Sequence, residues 1–252
     1  MIELHNISKS FGSHDVLNDV QATFERGKVN FVIGRSGSGK SVLTKCTVGL
    51  IEPDQGFVTY DGRDFTALSG KERKVIRQEI GMLFQGSALF DSMTVEENVR
   101  FPLRMFSDFS EEQIRRRSAE CLERVELSDA GGRFPAECSG GMQKRVGIAR
   151  AIAMNPKYLF CDEPNSGLDP QTAIVIDQLI MEITREYDMT TVVISHDMNS
   201  VMEASDTIHF VHEGSILWKG TRQSLLAGGN RELEDFVFAS NLMRQIRSSG
   251  QL

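Results

Sequence analysis

Cysteine is scarce in this 252-residue chain, and the four that occur (Cys46, Cys121, Cys138 and Cys161) form no CxxC pair and no metal-ligand spacing. A disulfide-stapled scaffold and a structural zinc site are thereby excluded, and the pattern predicts reduced cytosolic thiols. No segment approaches the roughly 20 apolar residues that a membrane-spanning helix needs, so any membrane role is expected to come through a partner. The first ten residues carry Glu3, His5 and Lys9 and lack the apolar stretch of a secretory signal. Positive charge is also in deficit. Lys and Arg number 28 against 35 Asp and Glu, a formal charge of -7 and a pI near 5.3, which disfavours a nucleic-acid partner. Internal repeats, low-complexity tracts and long linkers are absent, and the length predicts one domain with a modest insertion.

What is present is sharply local. Gly34-Arg35-Ser36-Gly37-Ser38-Gly39-Lys40-Ser41 matches G-x-x-x-x-G-K-[ST] at every position, between the apolar run Val29 to Ile33 and an amphipathic helix. Glycines let the main chain fold around a polyphosphate with its N–H groups and a helix N-terminus facing the anion. Lys40 can reach the terminal phosphates, and the Ser41 hydroxyl can ligate Mg²⁺.

Around this loop, Ile2, Leu4 and Ile7 with Val16, Leu17 and Val20 predict early strands turning at Gly12-Ser13, and Phe57 to Gly62 predicts a further strand and turn. From Thr94 to about Ala136 the pattern becomes helical, with capping boxes at Thr94-x-x-Glu97 and Ser110-x-x-Gln113. Strand-like runs return at 158–161, 191–194 and 207–211, with a periodic helix from about Gln171 to Glu186 between the first two. The alternation predicts an α/β fold with a mainly parallel sheet covered on both faces. The predicted organisation is a nucleotide-binding core with a β subdomain over 1–93 and 139–227, a helical subdomain over 94–138 and a C-terminal helical extension over 228–252. In that extension Leu233, Phe236, Val237, Met243 and Ile246 fall close to one helical face.

Further chemistry-bearing residues follow strands. Asp162 and Glu163 stand at the carboxyl end of the run 158–161, where ligands bind in open α/β sheets. Asp162 suits a metal, directly or through water, while Glu163 can orient or deprotonate an attacking water. Ser139 is a good N-cap, and Gly140-Gly141 lets a phosphate approach the helix start; alone, the pattern also fits a turn and a cap. Gln85 follows the strand-like Met82 to Phe84, and His196 follows Ser195. Taken singly, each is more often structural than catalytic.

In this order the motifs resemble those of the ATP-binding cassette (ABC) ATPases over almost the whole chain. The resemblance implies a P-loop NTPase fold, with Phe11 as the aromatic stacked on adenine, 34–41 as Walker A and Gln85 as the Q-loop. It implies Ser139-Gly140-Gly141-Met142 as the signature, Asp162-Glu163 as Walker B with its catalytic acid, Ser166-Gly167-Leu168-Asp169 as the D-loop, and His196 as the switch histidine. ATP is then expected to contact Phe11, the loop Gly34, Arg35, Ser36, Gly37, Ser38, Gly39, Lys40, Ser41 and Val42, and also Gln85, Asp162 and His196. Ser139, Gly140, Gly141 and Asp169 are expected to act across a dimer. Mg²⁺ is expected at Ser41, Gln85 and Asp162, and catalysis at Glu163, His196, Lys40 and Gln85.

Four positions depart from the family pattern: Cys138 for Leu, Met142 for Gln, Val42 for Thr and Phe11 for Tyr. The second of the paired hydroxyls is lost at Val42, which predicts weaker nucleotide affinity. The segment from Met82 to Val99, with the Ser-Gly-Gly-Met signature, is similar to the Mla-type ATPases of MCE-linked phospholipid transporters. That resemblance implies a permease, an MCE-domain lipid-binding protein and a second copy as partners, and a peripheral location on the cytoplasmic face of the inner membrane. Import of another cargo, such as a small polar solute, and a soluble non-transport cassette are the competing readings.

Overall fold

The computed structural model describes residues 1–227 and 230–239, in two compact units. The first comprises Met1–Glu25, Val29–Ala67 and Ile194–Leu252; the second comprises Arg26–Lys28 and Leu68–Val193.

In the first unit, β1 (Ile2–Phe11) pairs antiparallel with β2 (His14–Phe24). Strand β3 (Val29–Ile33) leads into α1 (Lys40–Thr47), and β4 (Gln55–Tyr60) and β5 (Arg63–Asp64) complete an antiparallel sheet of order β2-β1-β4-β5. The apolar alternation of β1 changes phase between Leu4 and Ile7, and that of β2 between Leu17 and Val20. Both slips are bulges: Asn6 (φ 52) and Asp19 (φ 49) adopt left-handed backbone, and Asn6 Nδ2 donates to Asp19 Oδ1 at 2.6 Å. Coupled bulges on facing strands keep Ile2, Leu4, Ile7, Leu17 and Val20 all buried despite the change of phase.

The second unit runs α2 (Gly70–Gln78), β6 (Ile80–Leu83), α3 (Val95–Phe106), α4 (Glu111–Arg124), α5 (Gly140–Ile152), β7 (Tyr158–Asp162), α6 (Pro170–Glu186) and β8 (Thr190–Ile194), whose last residue falls in the first unit. Here β6 and β7 are parallel neighbours and β8 follows β7. Both predicted capping boxes form. Thr94 N donates to Glu97 Oε2 at 2.8 Å and Ser110 N to Gln113 Oε1 at 2.8 Å, with the reciprocal serine and threonine caps at 3.3 and 3.2 Å. A third box, Ser69 with Glu72, opens α2, which the sequence reading overlooked although the Ser-x-x-Glu spacing was present.

Asn98 on α3 is fully buried and makes four hydrogen bonds with the main chain of the preceding loop. Its Oδ1 accepts from Phe90 N at 2.8 Å, and its Nδ2 donates to the carbonyls of Phe90, Met93 and Thr94 at 3.0 to 3.2 Å. The loop 90–94 is therefore held as a formed element although it carries no regular structure.

The chain returns to the first unit through α7 (Met198–Ala204), β9 (Thr207–His212), β10 (Ser215–Gly220), α8 (Arg222–Ala227) and α9 (Arg231–Val237). Strand β3 is parallel to β9, and β9 is antiparallel to β10. Every residue of β3 is buried, including Asn30, whose Oδ1 accepts from Glu25 N at 2.9 Å and Thr207 Oγ1 at 2.7 Å. Leu233 and Val237 of the expected terminal face are buried on α9, whereas Met243 and Ile246 lie outside the described residues. Cys46, Cys121 and Cys161 are buried, and burial pushes the Cys46 and Cys121 thiols up to about 11, which makes them poor nucleophiles. Among the described residues no helix is long and apolar enough to cross a membrane.

His209 on β9 is fully buried with the Phe24 ring edge-on at 5.0 Å, and neither ring nitrogen meets a partner at hydrogen-bond geometry. Burial, reinforced by the Lys219 charge, pushes its pKa down to about 4. The unfolded chain, with an ordinary histidine pKa near 6.5, then binds more protons than the folded one as the pH falls. Stability linked to His209 is complete above about pH 6.5 and is lost as pH falls toward 4, on the order of 3 kcal/mol in full. Urea denaturation between pH 7 and 4.5 is expected to show this slope in the wild type and a flatter one in His209→Phe.

Candidate functional site

The phosphate-type loop in the first unit owes its shape to missing β-carbons. Gly34 has φ +153, and a Cβ built there would lie 2.3 Å from the Val211 carbonyl oxygen; Gly39 has φ +105, with Val16 O at 2.8 Å from the corresponding position. Only glycine allows the strand-to-helix turn to pass so close to its neighbours. Gly39 is the N-cap of α1 and provides no side-chain cap, so the amides opening that helix are not capped by the residue that starts it. The Ser38 hydroxyl is buried and meets no hydrogen-bond partner, while Arg35, Ser36, Gly37 and Ser41 are exposed. Lys40 is buried and folds back over the loop, with Nζ donating to Gly34 O at 2.8 Å and Arg35 O at 2.9 Å. A positive charge, an orphaned hydroxyl and a helix start without a side-chain cap, all around one turn, form a cradle that fits a polyphosphate.

His196, exposed, follows directly on Ser195, whose N–H donates to Val32 O at 3.3 Å, so the structure brings it beside the strand that feeds the loop. Asp197 caps α7 by accepting from Asn199 N at 2.9 Å and fixes the chain just after the histidine. Phe11, at the end of β1, leaves its ring half-exposed, with Lys9 Nζ 5.5 Å from the ring centre.

The remaining predicted residues lie in the second unit. Asp162 ends β7, and Glu163 takes a left-handed backbone, φ 47, uncommon for a residue with a side chain. Its carbonyl accepts from Ser166 N at 3.1 Å and from Lys144 Nζ at 3.3 Å. Gln85 is exposed, and its Nε2 donates to Ser166 Oγ at 3.3 Å, which joins the loop after β6 to the loop after β7. Asp169 is the N-cap of α6, accepting from the amides of Gln171 and Thr172 at 3.1 and 3.0 Å and from the Thr172 hydroxyl at 2.5 Å. These bonds, that of the Thr172 hydroxyl foremost, hold its carboxyl below the usual carboxylate range.

Ser139 caps α5 by accepting from Met142 N at 3.3 Å. Gly140 is exposed, whereas Gly141 is approached from within the chain: a Cβ there would lie 2.6 Å from Thr172 Cγ2, so the signature helix packs against the start of α6.

Two residues that the sequence reading did not single out hold this arrangement. Lys144 of α5 is buried and donates to the carbonyls of Gln85 and Glu163; burial pushes its pKa down, against the opposing pull of Cys161, Asp162 and Glu163. Arg150 donates to Ser87 O at 2.6 Å and Ala88 O at 2.7 Å. The available signal for the first was a lysine on the stripe Lys144, Gly147, Ile148 and Ala151, otherwise apolar at helical spacing.

Among the described residues no group of three or more His, Cys, Asp or Glu side chains could hold a metal ion by itself. The Ser41 hydroxyl in the first unit is a hard oxygen donor of the kind Mg²⁺ takes, and so, in the second unit, are the side-chain oxygens of Asp162 and of Gln85.

A family model described as ABC transporter matches residues 17–166. The chain is 39% identical over 236 residues to the probable ribonucleotide transport ATP-binding protein mkl of Mycobacterium tuberculosis, covering 94% of this chain and 66% of that protein. It thus spans just under two thirds of that relative's length. It is 42% identical over 224 residues to the methionine import ATP-binding protein MetN 1 of Pseudomonas savastanoi pv. phaseolicola, covering 87% of this chain and 67% of that protein. Among solved structures, a dimeric post-hydrolysis state of an ATP-binding cassette bound to ADP and Pi superposes with a TM-score of 0.79 at 33% identity, covering 88% of this chain and 99% of the other.

The loop geometry is directly testable. Gly34→Ala forces a methyl against Val211 O and is expected to destabilise the folded chain by about 1 to 3 kcal/mol. It should also weaken triphosphate binding, as read by urea denaturation and fluorescence titration.

Proposed function

This chain belongs to the ABC transporter family, and from that membership we propose that it is the ATP-binding and ATP-hydrolysing subunit of a transporter that moves phospholipid between bacterial membranes. The observation that carries the ATPase part is the loop from Gly34 to Ser41, with its glycine-dependent turn and the Lys40 ammonium folded over it. A lysine charge about 4 Å from a phosphate charge contributes about 4 kcal/mol at an effective dielectric near 20, before desolvation is subtracted. Phe11 offers a ring face for adenine, and the amides at the start of α1 offer donors to the phosphates.

Ser41, Asp162 and Gln85 would hold Mg²⁺, which would supply neutralisation of the charge that develops on the phosphate oxygens. The chain's own groups do the rest. Glu163 accepts a proton from the attacking water or orients it, and His196 donates a hydrogen bond to the γ-phosphate. Ser139, Gly140 and Gly141 at the start of α5 present amides to the nucleotide held by a second copy, and the start of α6, capped by Asp169, packs against these glycines through Leu168 and Thr172. ATP held by residues of two copies favours a closed dimer, and hydrolysis releases it. The dimeric, ADP- and Pi-bound relative supports this arrangement.

The lipid assignment rests on the segment 82–99 and the Ser-Gly-Gly-Met signature. In that segment Asn98 fixes the main chain of 90–94, and Phe84 and Phe90 are each about 40% exposed, apolar side chains available to a permease helix. An MCE-domain protein completes the proposed assembly, and the chain then sits peripherally on the cytoplasmic face of the inner membrane. A second reading, import of a small solute, is favoured by the 42% identity to a methionine import protein.

Glu163→Gln is expected to retain ATP binding and accumulate dimers while turnover falls about 100-fold or more; near-normal hydrolysis would remove Glu163 from its role. Gentle purification from membranes is expected to recover a permease and an MCE-domain protein. Recovery of a periplasmic solute receptor in their place favours the import reading.

A further inference from the structure

Helix α5 lies very close to the strand and loop beside it. At Gly147 an added Cβ would stand 2.6 Å from Leu83 Cδ1 and 3.6 Å from Ser87 Cβ, so the side chains of Leu83 and Ser87 pack directly on the helix backbone at that glycine. One turn before Gly147, Lys144 is 4% exposed and points its ammonium at two main-chain carbonyls, those of Gln85 and Glu163. One turn after it, Arg150 reaches the carbonyls of Ser87 and Ala88.

The backbone so held is strained. Glu163 has φ 47, and the consecutive residues Ser87 and Ala88 have φ 58 and 46, all in the left-handed region without glycine. Each such residue costs on the order of 1 kcal/mol and persists only where its surroundings over-determine it. At Glu163 the fixing groups include Ser166 N and Lys144 Nζ; at 87–88 they include the Arg150 guanidinium.

Resting on the ATPase reading above, we propose that Lys144 is a positioning residue: its ammonium locks the Gln85 carbonyl to the Glu163 carbonyl, so that the Q-loop and the acid-bearing loop keep one register and move together with α5. The helix begins at Gly140, capped by Ser139, and Lys144 follows that cap by five residues, about 7.5 Å along the axis. A shift imposed on the signature end of α5 is thereby delivered to Gln85 and Glu163 at once. Gln85 Nε2 on Ser166 Oγ closes the circuit on the far side. The hydrogen-bond acceptors of the ammonium are carbonyls of two separate loops, so those bonds fix backbone position, while the nearby Asp162 and Glu163 carboxylates favour its charged form.

The test uses the full-length chain with Lys144→Met, which keeps the stem and removes the donor, and Lys144→Arg, which keeps a cation. Lys144→Met is expected to lower kcat for ATP hydrolysis about tenfold with KM for Mg-ATP within about twofold. Without nucleotide, it should speed amide exchange at Gly86, Ser87 and Ala88 by about tenfold or more, with exchange in β7 and α6 unchanged. Lys144→Arg should recover most of both effects. Unchanged exchange at 86–88, or a kcat loss that merely tracks a smaller folded fraction, overturns the proposal. Should Lys144→Met not fold, Lys144→Gln is read by the same two measurements. If the wild-type chain hydrolyses no ATP, the ATPase reading fails alone, and the exchange measurement still decides the role of Lys144.

Discussion

A main chain that turns its amides toward an anion must pass through backbone that ordinary residues avoid, and the rest of this molecule is arranged around that constraint. In the first unit the requirement is met by glycine, with Gly34 and Gly39 at positive φ and in contact with Val211 and Val16 at distances that leave no room for a β-carbon. Strand β3 supplies a fully buried anchor on one side of the loop and α1 an uncapped start on the other. The buried Asn30, satisfied by Glu25 and Thr207, keeps that anchor in register with β9. The carbonyls of Gly34 and Arg35, in the loop it serves, hold the Lys40 ammonium.

The second unit enters left-handed backbone without glycine. Glu163, Ser87 and Ala88 carry side chains and still adopt left-handed backbone, so the conformational cost is offset by cations reaching in from α5. One helix therefore presents the signature at its start and fixes the Q-loop and the acid loop along its side. Gly147 makes this possible by letting the helix close on Leu83 and Ser87. The D-loop joins through Ser166, and Asp169, a cap for α6, holds the adjoining turn. Such a fully connected set has few independent ways to move, which suits loops that must respond together.

The separation between motor and cargo is also physical. Phosphate recognition depends on backbone geometry that many sequences can support, and the relatives at 39 and 42% identity carry names for quite different transported molecules. In this chain the loop 90–94 is a separate element from the phosphate loop, fixed by Asn98, with Phe90 about 40% exposed.

Interactions completed within a few residues were readable from the sequence alone. The glycine loop after an apolar strand, the Thr94 and Ser110 capping boxes, the first hairpin and the parallel α/β alternation each repeat a short-range requirement that neighbouring residues satisfy. Lys144 on Gln85 and Arg150 on Ala88 connect residues 59 and 62 positions apart, and no local pattern specifies such partners. The same holds for the left-handed Glu163 and for Gly141 packed on Thr172. The sequence by itself determined which chemistry the chain carries, because that chemistry resides in residue types at fixed short spacing. Only the tertiary structure decided which buried cations hold the loops in working geometry, since a charge finds its acceptors through the path of the whole backbone and not through its neighbours in the chain.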